Sequence, residues 1–200
     1  QMEATDLERI IKEVLFGETE NDGLVFQLDL ISVDAIREDA VYSGLRARIP
    51  VKLGNIRIPV QIDVGSGDAI TPAAELKPFP VLLPEFPAPE IRSYPVYTVI
   101  AEKLEAIVTL GYANSRMKDY FDLHYILSSE SPDPDQIVHA VRRTFAASKT
   151  KIPSVLPEGL SDGLAQFKED MWRGFLKRNK LLAETSFAKF VAFIREKLLL

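Results

Sequence analysis

The spacing of apolar positions changes along the chain, and with it the elements expected. Leu7, Ile10, Ile11 and Leu15 recur at helical intervals. They follow Thr5-Asp-Leu-Glu8, the pattern of a capping box, which predicts a helix ending near Phe16. After a polar turn at 18–23, residues 23–33 (GLVFQLDLISV) run apolar or alternate, as a strand does. A second strand is expected from about Tyr42 to Leu53 and a third from Ile56 to Val64, joined by Gly54-Asn55 as a hairpin. Pro50 and Pro59 have no N–H to give a ladder, so an edge or a bulge is expected beside them. In the third strand Val60, Ile62 and Val64 fall on one face, and Gln61 and Asp63 on the other.

More than half of the thirteen prolines lie between Pro72 and Pro95. This stretch reads as a stiff connector with one short strand near Ile91, its Leu76, Phe79, Val81, Leu82, Leu83 and Phe86 needing burial. Beyond Tyr97 the period is helical. Thr98 is read as the N-cap of a helix carrying Ile100, Leu104, Ile107 and Val108, and Gly111 as its stop. Asn114 or Ser115 would cap the next helix, RMKDYFDLHYIL, and Asp133-Pro-Asp-Gln136 opens another with proline at its first position. Two more are expected at Leu164–Leu176 and Ser186–Leu199. The shift in pattern sets a boundary near Pro95, giving parts 1–95 and 96–200.

Composition narrows the class. With 46% hydrophobic and 26% charged residues in 200, the chain is an ordinary globular one with enough apolar material for a core. No apolar run reaches the length of a membrane span, and no basic-then-apolar leader opens the sequence. Gln1 ahead of Met2 reads as a leftover of a tag. The absence of cysteine removes disulfides and thiolate chemistry and suits a cytoplasmic location. A net charge of −5 argues against a surface wholly devoted to nucleic acid. Two local basic groups, Arg142/Arg143/Lys149/Lys151 and Arg173/Lys177/Arg178/Lys180, read as solvated helix faces or as contacts to phosphates, the first group being the candidate for RNA binding.

Candidate chemistry concentrates between Thr98 and Leu127. Lys103 borders the buried stripe of its helix, while Arg116, Asp119 and Asp122 fall at i, i+3 and i+6 on the next. One reading is a grip for a polyphosphate; the other is a set of intrahelical ion pairs, Arg116–Asp119 and Lys118–Asp122, each worth a few tenths of a kcal/mol. Asp63, on the polar face of its strand ahead of Gly65-Ser66-Gly67-Asp68, is placed to meet a metal or a hydroxyl, or is simply an exposed strand residue. His124 is read as packed or capping, His139 as surface, and Trp172, Phe175 and Phe187 as core. Ser66 has no neighbouring base and is not a nucleophile.

Three pieces in order, QIDVGSGDAITP (61–72), YPVYTVIAEKLEAIV (94–108) and SRMKDYFDL (115–123), together with Trp172 and SFAKFVAFI from Ser186, resemble the AbiEii/AbiGii toxin family of nucleotidyltransferase-like proteins. The resemblance implies an α+β chain, a partial nucleotidyltransferase-like mixed sheet followed by a C-terminal helical domain. It implies transfer of a nucleotide from a triphosphate, with Mg²⁺, onto tRNA or another RNA, in a toxin–antitoxin or abortive-infection setting with a cognate antitoxin and no membrane role. By position, Asp63 resembles the strand carboxylate that binds metal, Lys103 the helix lysine that meets the triphosphate, and Arg116, Lys118, Asp119 and Asp122 the downstream basic–acidic motif. Asp119 is favoured over Asp122 as the catalytic one. Asp63, Lys103 and Asp119 would then converge on one cleft.

The sequence departs from that pattern in one respect. A Gly-Gly or Gly-Ser turn followed by a strand Asp-x-Asp or Asp-x-Glu, which cradles phosphate and binds both metals, is missing; Asp29 and Asp34 do not replace it. A truncated, mis-started or degenerate member is expected, with catalysis impaired. The alternative is a non-catalytic module that binds a nucleotide or an antitoxin with the same fold.

Overall fold

The structure is a computed structural model, and it describes residues 2–17, 22–36, 44–65, 67, 69–181 and 186–198. The expected strand start at Tyr42, the Ser66 and Asp68 of the glycine-rich turn, and Leu199 at the expected end of the last helix lie outside the described residues. The chain divides into two compact units, Gln1–Asp68 and Ala69–Leu200.

In the first unit, helix α1 (Ala4–Phe16) packs against a four-stranded antiparallel sheet of β1 (Leu24–Phe26), β2 (Ser32–Ile36), β3 (Gly44–Leu53) and β4 (Ile56–Val64). Its core is Leu7 and Ile11 of α1 against Ile31, Ala47, Ile49 and Val51. One sheet face is thus covered by a helix and the other is polar, the usual division of an antiparallel sheet. The helix begins earlier than its capping box suggests. Glu3 is the N-cap, no side chain caps it, and Thr5 lies inside the first turn.

The long strand expected over 23–33 is broken in two by a 3₁₀ turn at Leu28–Leu30. Both pieces pair with β3: Phe26 opposite Val51, and Ser32 opposite Arg48. The interruption falls beside Pro50, which cannot donate to the ladder, and Gln27 N–H donates to the Pro50 carbonyl at 2.9 Å. Pro59 stands directly opposite Pro50 in the β3–β4 hairpin, so the two positions without an N–H share one rung. The hairpin itself turns at Gly54-Asn55, as its sequence requires.

The second unit opens with a two-stranded antiparallel hairpin, β5 (Glu75–Pro78) and β6 (Glu90–Ser93). The burial expected for its apolar residues does not occur. Leu76, Phe79, Leu82, Leu83 and Phe86 are all exposed, because two strands alone present both faces to solvent. Seven helices account for most of the remaining elements in the described chain, six of them in this unit: α2 (Val96–Leu110), α3 (Met117–Ser129), α4 (Pro134–Ala147), α5 (Asp162–Phe167), α6 (Glu169–Arg178) and α7 (Phe187–Leu198). Asp133 caps α4 through the Asp135 N–H, with Pro134 at the first position. The single helix expected over 164–176 is two, α5 and α6, meeting at Lys168.

Trp172, fully buried, centres the core of this unit, with ring centroids of Phe190, Phe187 and Phe175 at 4.5, 5.3 and 5.6 Å. Thr98 is no cap. It is buried in the first turn of α2, accepts from the Thr71 N–H at 2.8 Å and donates to the Thr71 carbonyl at 2.9 Å. A helix position read as a terminus therefore ties the proline-rich segment down.

Candidate functional site

Helix α2 ends where Gly111 takes φ 47, a left-handed conformation that a Cβ disfavours, and the Gly111 N–H closes on Ile107 O. The 3₁₀ turn Gly111–Ala113 follows, and Asn114 Oδ1 accepts from the Arg116 N–H at 2.8 Å. Asn114 thus orders the approach to α3, while the N-cap position belongs to Arg116.

This turn sets α3 beside α2 with Asp119 and Asp122 aimed at one amine. Lys103 Nζ lies 2.8 Å from Asp119 Oδ1 and 2.8 Å from Asp122 Oδ2. Arg116 Nε approaches Asp119 Oδ2 at 2.7 Å, yet it is not aligned to donate, and that buried oxygen has no hydrogen-bond partner. Lys118 Nζ donates to Asp122 Oδ2 at 2.5 Å. Burial pushes the Asp122 carboxyl up, but hydrogen bonds and charge from Lys103 and Lys118 outweigh it and hold it below the ordinary carboxylate range. Asp119 in the first turn of α3 also gains from the positive end of the helix.

Burial grades across the cluster. Side-chain exposure is 5% for Asp119 and 15% for Lys103, but 55% for Arg116 and 72% for Lys118. The inner Lys–Asp–Asp group clasps two helices, while Arg116 and Lys118 present charge to water. Both readings of the pattern therefore have a physical counterpart: the intrahelical pairs form, and two outward cations remain close to a desolvated lysine.

Asp63 belongs to the first unit, and Lys103 and Asp119 to the second. Its carboxylate is held bidentately by its cross-strand partner Arg46, Nε to Oδ1 and Nη2 to Oδ2 at 2.8 Å each. That hydrogen bonding, with the Arg46 charge and Gln61, keeps the Asp63 carboxyl below its ordinary range against the opposing effect of desolvation.

Asp63 is committed to Arg46, and Asp119 and Asp122 share Lys103. Among the described residues no three His, Cys, Asp or Glu side chains gather as a metal would need.

Two features had no signal in the motifs. Glu105, buried on α2, has no ion pair among the described residues but accepts at Oε1 from the Thr109 and Thr150 hydroxyls at 2.8 and 2.5 Å. The Thr109 spacing of four residues is visible in sequence, whereas Thr150, 45 residues away, is not. Tyr120 is fully buried and donates to the Gly159 carbonyl at 2.9 Å; burial pushes its hydroxyl pKa up. His124 is packed between Phe190 and Phe193, and His139 is exposed, as their neighbours suggested. Both basic groups, at 142–151 and 173–180, are also exposed.

A helix-covered antiparallel sheet followed by a helical unit, with a lysine set between two aspartates of the next helix, defines an α+β protein with a charged interhelical centre. The chain belongs to the AbiEii family, nucleotidyl transferase toxins of type IV toxin–antitoxin systems, which it matches over residues 4–193. Membership implies a nucleotide substrate and an antitoxin partner. No curated protein and no solved structure matches the chain. Among the described residues no helix is long and apolar enough to cross a membrane.

Proposed function

We propose that the α2–α3 cluster binds a nucleoside triphosphate for transfer to an RNA acceptor, tRNA or another. The observation that carries this is the pairing of a desolvated Lys103 with two outward cations, Arg116 and Lys118, on one turn of α3. The outer cations can turn to phosphate oxygens at little desolvation cost. Lys103 adds its charge from behind, where low surrounding polarity strengthens it, and Asp119 and Asp122 fix its position. Asp63 is the strand carboxylate of the transfer. Mg²⁺ comes as the counter-ion of the triphosphate, since Asp63, Asp119 and Asp122 are each paired with a cation. The cytoplasm, where triphosphates and RNA meet, is its place of action.

Transfer by these residues alone is weak. Asp63, the strand carboxylate assigned to the transfer, is held by Arg46 on both oxygens. The same observation favours a second reading, a non-catalytic module that holds a nucleotide or an antitoxin. Calorimetry with ATP, CTP, GTP and UTP, with and without Mg²⁺, tests the binding. R116Q/K118Q should weaken the preferred triphosphate by about tenfold or more, the scale of one or two charge-assisted hydrogen bonds. Equal heats for wild type and variant would remove the nucleotide from this cluster. Labelled-nucleotide incorporation into total tRNA then separates transferase from binder.

A further inference from the structure

The β5–β6 hairpin is bare along its whole length. Every residue from 72 to 92 is exposed, and among the described residues neither strand has a neighbour other than its mate. A two-stranded ribbon is marginal in water, and its edges carry unpaired N–H and C=O groups that can template another strand. The Phe79 N–H donates to the Pro89 carbonyl at 2.8 Å, and this sets the alternation of the ladder. Lys77 faces Ile91, and Glu75 faces Ser93, at hydrogen-bonded positions. Glu90 and Arg92 therefore turn their backbone groups away from β5, while Leu76 and Pro78 turn theirs out from the opposite edge. The two edges are not equivalent. Pro78 has no N–H and interrupts the β5 edge, whereas the β6 edge keeps both of its donors.

The side chains along β6 determine which strand fits that edge. Glu90 and Arg92 share one face of the ribbon, and the apolar Ile91 between them lies on the other. Within β5, Lys77 meets Glu75 at 2.8 Å, but among the described residues no ion pair takes up Glu90 or Arg92. A second β6 laid antiparallel, with a two-fold axis at Ile91, sets each Glu90 opposite the Arg92 of the other copy. Both rungs then join opposite charges, and both exchange N–H···O=C bonds in each direction. Ile91 meets its own copy on the axis, at a position where cross-strand side chains come closest. A parallel copy would bring like charges together and is disfavoured. The β5 edges, each interrupted by Pro78, end up outermost. The assembly therefore closes as a dimer instead of growing into a fibre.

We infer that the free edge of β6 is a homodimer interface, at which Glu90, Ile91 and Arg92 of two chains pair as antiparallel strands and join two hairpins into one sheet. This rests on the hairpin alone and is independent of the nucleotide reading. Sedimentation equilibrium of the whole chain over a range of concentrations tests it, and the wild type should show a monomer–dimer equilibrium. E90R and R92E each turn both rungs into like-charge pairs and should raise the dimer dissociation constant by about tenfold or more. Mixing the two variants should restore association, because one chain of each kind again sets opposite charges on both rungs. The exchanged variant E90R/R92E should dimerise as the wild type does. All of these positions are exposed, so circular dichroism should not change. A mixture that associates no better than either variant alone would overturn the inference, as would a dimer that neither single variant weakens. A wild-type chain that stays monomeric would overturn it too, whether or not β6 then takes a strand from another protein.

Discussion

Lys103 on α2 and Asp119 on α3 meet at 2.8 Å with their side chains 15% and 5% exposed, so this ion pair is largely withdrawn from water. Such a pair costs desolvation to form and is expensive to break one-sidedly. K103M leaves two carboxylates facing each other and should lower unfolding free energy by about 3 kcal/mol. D119N should cost less, because Asp122 still answers Lys103. The double variant K103M/D119N should recover part of the loss, with a coupling of about 1–3 kcal/mol in urea unfolding. Strict additivity would show that the two residues do not act as a pair.

Stability should depend on pH in two separate steps. His124 lies with its ring 4.1 and 4.4 Å from those of Phe190 and Phe193, and burial lowers its pKa. Below about 6.5, where the unfolded chain takes up a proton that folded His124 resists, stability is lost as pH falls. Asp122 is also depressed in the folded state: burial opposes ionisation, but Lys103 and Lys118 prevail. Its contribution is present above the unfolded carboxylate value and vanishes only as pH drops through the folded one. H124F should abolish the upper step and D122N should diminish the lower, read from urea midpoints across pH. An upper step that persists in H124F belongs to another group.

Gly159 is fixed by contact. A Cβ there would lie 2.1 Å from Ile107 O and 2.7 Å from Ile107 Cγ2, so α2 would have to move. G159A should lower stability by about 3 kcal/mol or more, beyond ordinary overpacking, since backbone rather than a side-chain tip is struck. Y120F tests the same junction more gently and should cost about 1 kcal/mol through the lost hydrogen bond to Gly159 O. Thermal melts decide both; a wild-type melting temperature in G159A would mean that the junction yields.

Asp63 should separate folding from function. Its pair with Arg46 is exposed, so D63A is expected to leave the urea midpoint where it is. If Asp63 is the strand carboxylate of the transfer, nucleotide incorporation should fall while the melting curve stays. Undiminished incorporation in D63A would assign the pair a surface role only.

The sequence disclosed those parts of the fold that follow from local spacing. The β3–β4 hairpin was legible because Gly54-Asn55 separates two apolar runs, and α4 because Asp133 and Pro134 form an N-terminus by themselves. What pairing decides at a distance was hidden. The break at Leu28–Leu30 follows from Pro50 on the neighbouring strand, and Thr98 looked like a cap because its partner Thr71 is 27 residues away. The burial that the proline-rich segment's apolar residues suggest fails for a related reason, since such residues are covered only where another layer exists.

At the candidate site, the i, i+3 spacing of Asp119 and Asp122 announced a shared face, and Lys103 stands opposite both. The spacing did not reveal that the lysine would be clasped so fully, or that Arg46 would occupy Asp63. Both depend on partners 16 and 17 residues away, set by a turn and a strand register.

The proline-rich arm has a practical consequence. Leu82 stands 98% exposed near the tip of a hairpin flanked by Phe79, Leu83 and Phe86, also exposed. Proteases that prefer leucine or phenylalanine should nick the protein there first. The cut halves should travel together on a native column, because the ladder on either side, from Glu75–Ser93 to Pro78–Glu90, stitches them.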